Sequence, residues 1–472
     1  MPPTGAIDGQ NNADQRSGRS RRRRIAATLW RVNALAVVAF AVITMARPLF
    51  SVFADQELGA NPTWLGIIAG SYALVPLFLS LPVGGMIHRW GERPLLLAGT
   101  TGLALGLLLA SASPSLWTLA LAALVTGMSQ MLLVVCTQTL VTSLGDPRER
   151  EHHLGLFTTA TSAGQLLGPL GGGALADAIG FRGTFIAGAV VALAGVALAR
   201  DVEPPPVAGQ AISLRGQMRR ARQLLRLPPM RLAILTAFSL IFTLGVHQSF
   251  YPVYVTRVLG LSATTLGVLL AIRAVFALAV RLYMQPLIDT VGSRYRVLLM
   301  SLICGALALG ATPLLRDPWS LALAAALLGI ATGLTMPLSM LAAANAVPVA
   351  ERGLAMGVRL TGNRLAELTS PLLFGPLADA VGLAPAFYAA GILLLAAALL
   401  SLSWRDGLDE ADEPVRAAAP GRLDAARGDV PREASGRPAG AMAGLARRTG
   451  AGTPYCGDRP GPHGNGTTTV PR

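Results

Sequence analysis

The chain has 472 residues, 52% of them hydrophobic and only 14% charged, with a mean hydropathy of +0.53 and a formal net charge of +14. A soluble domain carries about 25% charged residues, so this composition excludes a soluble, disordered or collagen-like chain and points to a multi-pass membrane protein. All 39 basic side chains are arginine, and without a lysine to reach nucleotide phosphates the chain has no P-loop with which to power transport.

Residues 1–24 form a basic N-terminal tail that ends in Arg21-Arg22-Arg23-Arg24. Beside a first apolar span, such a run reads as a topology anchor against anionic lipid and not as a nucleic-acid site. The apolar run that follows is too long for a signal peptide and leads into further spans, so an uncleaved first helix is predicted.

A hydrocarbon core about 30 Å thick needs about 20 apolar residues per helix. On that measure twelve helices are predicted, near 33–53, 64–87, 94–112, 117–140, 154–176 and 183–199, then 232–254, 264–288, 297–314, 319–345, 353–377 and 384–404. Turn formers separate them at Ala60-Asn61-Pro62, Ser113-Pro114-Ser115, Gly145-Asp146-Pro147 and Arg316-Asp317-Pro318.

Arginines fall on alternate loops. Arg89, Arg93, Arg148, Arg150, Arg294, Arg296 and Arg352 lie on one side with the N-terminal tail, and the central loop 200–231 adds seven more. The opposite side holds only Arg182, Arg257 and Arg316. The positive-inside rule then places both termini in the cytoplasm. Residues 406–472, rich in Ala, Pro, Gly and Arg without apolar periodicity, are predicted to be a disordered cytoplasmic tail. Cys136, Cys304 and Cys456 have no C-x-x-C partner, which supports neither a disulfide framework nor a zinc site.

The chain repeats itself. At an offset of 202 residues, Glu149-Arg150, Gly155, Pro169, Gly173, Asp177 and Gly180 fall on Glu351-Arg352, Gly357, Pro371, Gly375, Asp379 and Gly382. At 201, Leu58-Gly59, Leu65-Gly66, Gly91 and Arg93 fall on Leu259-Gly260, Leu266-Gly267, Gly292 and Arg294. Two six-helix halves, 25–199 and 232–405, joined by the basic loop 200–231, follow from this. Parallel repeats of this kind place a binding site between the halves near the membrane midplane, which predicts a transporter.

Two motifs carry a family resemblance over residues 25–405. Between the second and third spans stands Gly84-Gly85-Met86-Ile87-His88-Arg89-Trp90-Gly91-Glu92-Arg93, and its echo in the second half runs from Gln285 through Asp289 and Gly292 to Arg294. The fifth span contains Gly155, Gly164, Gly168-Pro169 and Gly172-Gly173, spaced G-x8-G-x3-G-P-x2-G-G. The chain thereby resembles the major facilitator superfamily, and the span-5 motif is similar to that of its proton-driven antiporters, many of them drug exporters. The resemblance implies an all-α fold of twelve helices in two pseudo-symmetric halves, a proton partner, a small-molecule substrate and no enzymatic activity. Against the pattern, His88 replaces an aspartate, Glu92 replaces an arginine, and Ala123 stands where similar exporters carry an arginine in the fourth span. The alternative to a functional span-5 motif is ordinary small-residue packing between helices.

Ionisable groups within spans are costly and mark pathways. The deep ones are Arg47, Arg273, Arg359, Arg364 and Glu367, with Arg281 near enough to the inner face to snorkel. Glu367 is the candidate proton-coupling group; the alternative is a fixed ion pair with Arg364 or Arg273. Asn363 and Arg359 lie on its face of the helix. Together with Arg47, Arg273 and Arg364, the polar span residues Gln138, Gln165, His247, Gln248 and Tyr251 complete the candidate substrate-binding set. The span-5 motif favours a drug exporter, whereas the excess of arginine favours organic-anion uptake or exchange. A transporter-like sensor that moves nothing is a third reading. No cofactor or metal is implied, no nucleic acid, and lipid is the expected surroundings of a monomer in the plasma membrane.

Overall fold

Capping residues set the helix starts. Asn61 accepts the backbone N–H of Trp64 at 3.0 Å, Ser115 forms a reciprocal capping box with Thr118, Ser262 accepts from Thr265 at 3.1 Å, and Asp317 accepts from Trp319 and Ser320. Asn61 and Asp317 are followed by a proline at the first helical position, where a missing N–H costs nothing. Three of the four predicted turns therefore stand as helix-capping turns.

The computed structural model describes residues 5–79, 83–144, 149–202, 214–348 and 351–405. The Gly145-Asp146-Pro147 turn, Arg148 and the 406–472 tail lie outside these, and for Gly84, His88, Arg150 and residues 5–24 only the helical backbone is described. All described elements are helical: α1 (Gly5–Gln56), α2 (Pro62–Leu79), α3 (Val83–Trp90), α4 (Glu92–Ser111), α5 (Leu116–Ser143), α6 (Arg150–Arg200) and α7 (Leu214–Leu224). They continue with α8 (Pro228–Val253), α9 (Ala263–Leu282), α10 (Met284–Val291), α11 (Arg294–Ala311), α12 (Pro318–Asn345), α13 (Arg352–Val381) and α14 (Leu383–Ser401).

Ten of the described segments are long and apolar enough to cross a membrane. One of them, α6, is two helices bent at Gly180, whose φ of 73° interrupts the ladder. It thus supplies the fifth and sixth crossings. The eleventh crossing, α13, is missing from the ten because Arg359, Arg364 and Glu367 depress its hydropathy. These two account for the twelve predicted spans. Two expectations change in detail. The helix of α1 begins at Gly5, so the basic N-terminal segment is helical there, and the central basic loop contains α7, whose Arg220 meets Glu351 at 2.6 Å.

The repeat is visible in the backbone. The positive-φ glycines pair as Gly59 with Gly260, Gly91 with Gly292, and Gly180 with Gly382, at the sequence offsets of the two halves. Each ends a helix or turns the chain where a Cβ would be strained.

Helices of opposite halves meet closely at one end. There α2 packs on α13 and α6 packs on α9. A Cβ on Gly66 would overlap the carbonyl oxygen of Pro371, and one on Gly267 would overlap that of Pro169. Three aspartates tie the same end. Asp177 accepts the backbone N–H groups of Ala263 and Thr264 at 3.1 and 2.7 Å, Asp379 accepts from Asn61 and Thr63 at 2.8 Å each, and Asp55 pairs with Arg257 at 2.5 Å. At the opposite, arginine-rich end of α6 and α13, a Cβ on Gly155 or Gly357 would meet nothing within 4 Å.

Candidate functional site

A cavity of about 270 Å³ lies between the halves. α1 contributes Thr44 and Arg47, α5 contributes Gln130, and α6 contributes Gln165. From the second half come His247 and Gln248 on α8 and Arg273 and Arg281 on α9. Among the described residues, three arginines and no carboxylate line it.

Arg47 is held in place by an aromatic ring: its guanidinium carbon lies 5.0 Å from the centroid of Tyr72 on α2, a cation–π contact. Tyr72 is buried and its hydroxyl has no hydrogen-bond partner. Arg47, Tyr72 and Gln130 also line a smaller recess beside the cavity, and Arg364 and Glu367 close that recess from α13. There Arg364 Nη1 donates to Glu367 Oε2 at 2.7 Å, with both side chains at most one-fifth exposed. A buried pair of this kind is held by its geometry, because removing either member leaves an uncompensated charge.

Across the cavity, the His247 ring stacks on Tyr251, with centroids 4.3 Å apart and planes 15° from parallel. His247 Nδ1, the amide oxygens of Gln130 and Gln248, and Arg273 Nε are buried without protein partners. Buried polar atoms are normally satisfied, so an unpaired set around one cavity marks a place where a polar solute or water completes the bonding.

The predicted residues divide into three groups. Arg47, Gln165, His247, Gln248 and Arg273 line the cavity, and Arg364 and Glu367 line the adjoining recess. Tyr251, stacked on the lining residue His247, and Asn363 are buried and line neither space, with Tyr251 OH and Asn363 Oδ1 unpaired. Arg359 and Gln138 lie elsewhere. Arg359 is anchored to α12, donating to Ser339 Oγ at 2.8 and 3.2 Å and to the Met336 carbonyl at 3.2 Å. Gln138 is exposed near the end of α5.

Gln130, Tyr72 and Thr44 belong to the site and were missed by the reading of the sequence. Gln130 carries a legible signal, a polar side chain at the middle of the predicted fourth span, whereas Gln138 lies near that span's end.

The span-5 glycines serve two neighbours. Gly164, Gly168 and Gly172 take the backbone and side chains of Val37 to Met45 on α1, within their own half, while Gly173 abuts Ala263 of α9 in the other. Of the loop motifs, Arg89 and Arg93 are exposed, Gly91 supplies a positive φ, Asp289 accepts from Gln285 at 3.0 Å, and Gly292 caps α10 in the left-handed conformation. Gly292 and Arg294 take part in further interactions. Ala123, at the place of the absent arginine, is fully buried.

The sequence profile of the Major Facilitator Superfamily matches residues 32–262 and again 233–447. The chain belongs to that superfamily. It is a multi-pass membrane transporter, with twelve membrane-crossing helices in the superfamily's manner. It is similar to multidrug resistance protein MdtG of Salmonella choleraesuis, 25% identical over 313 residues that cover 63% of this chain and 75% of that one. It is also 29% identical, over 126 residues, to the class C tetracycline resistance protein of Escherichia coli, covering 27% of this chain and 31% of that protein. The fold matches that of the nucleoside transporter NupG with a TM-score of 0.67 at 13% identity, over 80% of this chain and 98% of that one.

Proposed function

We propose that the protein exports a small solute across the plasma membrane by alternating access, in exchange for protons, with both termini in the cytoplasm. The observation that carries this is the Glu367–Arg364 pair. It is a carboxylate in the membrane interior, bonded at 2.7 Å to a guanidinium and set in a recess that shares Arg47 and Gln130 with the cavity. A proton taken up by Glu367 releases Arg364, and solute entering the cavity alters the field through Arg47, so the two ligands act on connected charges.

Orientation has independent support. The arginine-rich loops lie on the side where Gly155 and Gly357 are unpacked, and the opposite end is tied by Asp55, Asp177 and Asp379. With the positive side inward, the cavity faces the cytoplasm, the state in which an exporter takes up its solute and an importer releases it. The drug-resistance relatives and the complete span-5 motif favour efflux and a proton partner over uptake.

The test uses purified protein in proteoliposomes containing a pH-sensitive dye. An imposed pH gradient drives solute movement in the native protein, and Glu367→Gln abolishes it while leaving solute counterflow intact. Gradient-driven movement that survives in Glu367→Gln overturns Glu367 as the coupling group.

A further inference from the structure

We infer that the substrate is a small organic anion whose carboxylate or phosphate is clasped between Arg47 of the first half and Arg273 of the second. The inference deepens the transport reading above and takes from it only that the cavity is where solute binds.

Charge is the first argument. Around the cavity and its recess stand Arg47, Arg273, Arg281 and Arg364, with Glu367 as the one carboxylate among the described residues lining either space. Glu367 is committed to Arg364 at 2.7 Å, and neither Arg47 nor Arg273 forms an ion pair among the described residues. Arg281 is exposed. Arg47 and Arg273, however, lie at membrane depth, where an unneutralised guanidinium is expensive. An incoming oxyanion supplies the missing counter-charge, and guanidinium is the side chain whose planar donors match a carboxylate or phosphate.

Position is the second. Arg47 and Arg273 face one cavity from helices of opposite halves, so an anion held by both bridges the two bodies that must rock against each other. Arg47 is steadied by Tyr72, and Arg273 Nε is buried with no partner among the described residues. The unpaired amide oxygens of Gln130 and Gln248 offer acceptors for a hydroxyl or amide elsewhere on the solute, and Phe40 and the His247 ring offer apolar surface. At about 270 Å³ the cavity falls just below the ~300–1,000 Å³ of drug-sized sites, which favours a compact solute. Among the described residues, a cationic lipophile would find three arginines and no carboxylate lining the cavity.

The test is equilibrium dialysis of the full chain in phosphatidylcholine nanodiscs against three probes of one shape: 2-naphthoate, 2-naphthamide and 2-naphthamidine, with 2-naphthyl phosphate alongside. An oxyanion is expected to bind at least about tenfold more tightly than the neutral amide, in line with charge-assisted hydrogen bonds, and the amidinium more weakly than either. Naphthoate or naphthyl phosphate leading tells carboxylate from phosphate. Arg47→Gln and Arg273→Gln each erase the preference while naphthamide binding stays within about twofold, which also reports that the variants are folded; should a variant lose naphthamide binding, the ranking in the native protein decides. An amidinium that binds as tightly as the anions, or a preference untouched in both folded variants, overturns the inference. Proton-driven movement of the amidinium without anion binding would sink the clasp and leave transport standing, whereas anion binding without any proton-driven movement would sink the coupling reading alone.

Discussion

Gly66 and Pro371 meet backbone to backbone, the glycine leaving room for the carbonyl oxygen of the proline, and Gly267 stands in the same relation to Pro169 in the other pair of helices. These contacts join opposite halves, so they exist only while this end of the molecule is closed.

Gly66→Leu and Gly267→Leu are therefore expected to favour opening at this end. Overpacking a tight contact costs about 1–3 kcal/mol, enough to shift a two-state balance by about 5- to 150-fold. Spin labels at Leu58 and Val381 should move apart, and transport should fall at least about tenfold. Gly171→Leu, at a position with nothing within 4 Å, serves as the control. Unchanged label distances in the Gly66 and Gly267 variants would show that the contacts do not hold the end shut.

Arg364→Gln leaves Glu367 buried without its partner. Breaking a buried ion pair from one side costs about 3–5 kcal/mol, so the detergent-solubilised variant should melt well below the native protein. Removing the second charge as well, in Arg364→Gln/Glu367→Gln, should restore most of the loss. Failure of the double variant to recover would mean that Arg364 stabilises the fold through contacts other than the 2.7 Å bond.

The cap at Asp317 gives a pH dependence outside the membrane. The Ser320 hydroxyl and the backbone N–H groups of Ser320 and Trp319 donate to its carboxylate and hold its pKa below the ordinary aspartate value. A depressed folded-state pKa stabilises above the unfolded value, near 3.9, and the stabilisation is lost as pH falls through the folded value. Asp317→Ala should consequently lower the melting temperature modestly at pH 7, with the difference shrinking below about pH 4. A difference that persists undiminished at pH 3 would assign the effect to lost packing instead.

Much of the architecture was legible because it repeats. Glycine, proline and aspartate recur at offsets of 201 and 202 residues, and these residues sit at the turns, the close approaches and the aspartate ties of the structure. Among the described helices ten are long and apolar enough to cross, because α6 carries two crossings across the bend at Gly180 and α13 is made less apolar by its own charged residues; the sequence reading separated the first and kept the second. Those charges were the same clue that exposed Glu367 and Arg364.

Depth in a span was legible; the direction of a side chain was not. Arg359, Asn363, Arg364 and Glu367 crowd one helix, yet Arg359 turns to Ser339 on α12 while Arg364 and Glu367 face the recess. Gln130 and Gln138 occupy one helix as well, and only Gln130 reaches the cavity. Composition, span length, charge asymmetry and internal repetition are properties of the chain read one residue at a time, and they sufficed for the class of protein, the twelve crossings and the two halves. Which arginines remain without a counter-ion depends on how helices from distant parts of the sequence are rotated against one another. Packing of small residues sets that rotation, and only the tertiary structure brings Arg47 and Arg273 to one cavity while binding Arg364 to Glu367 beside it.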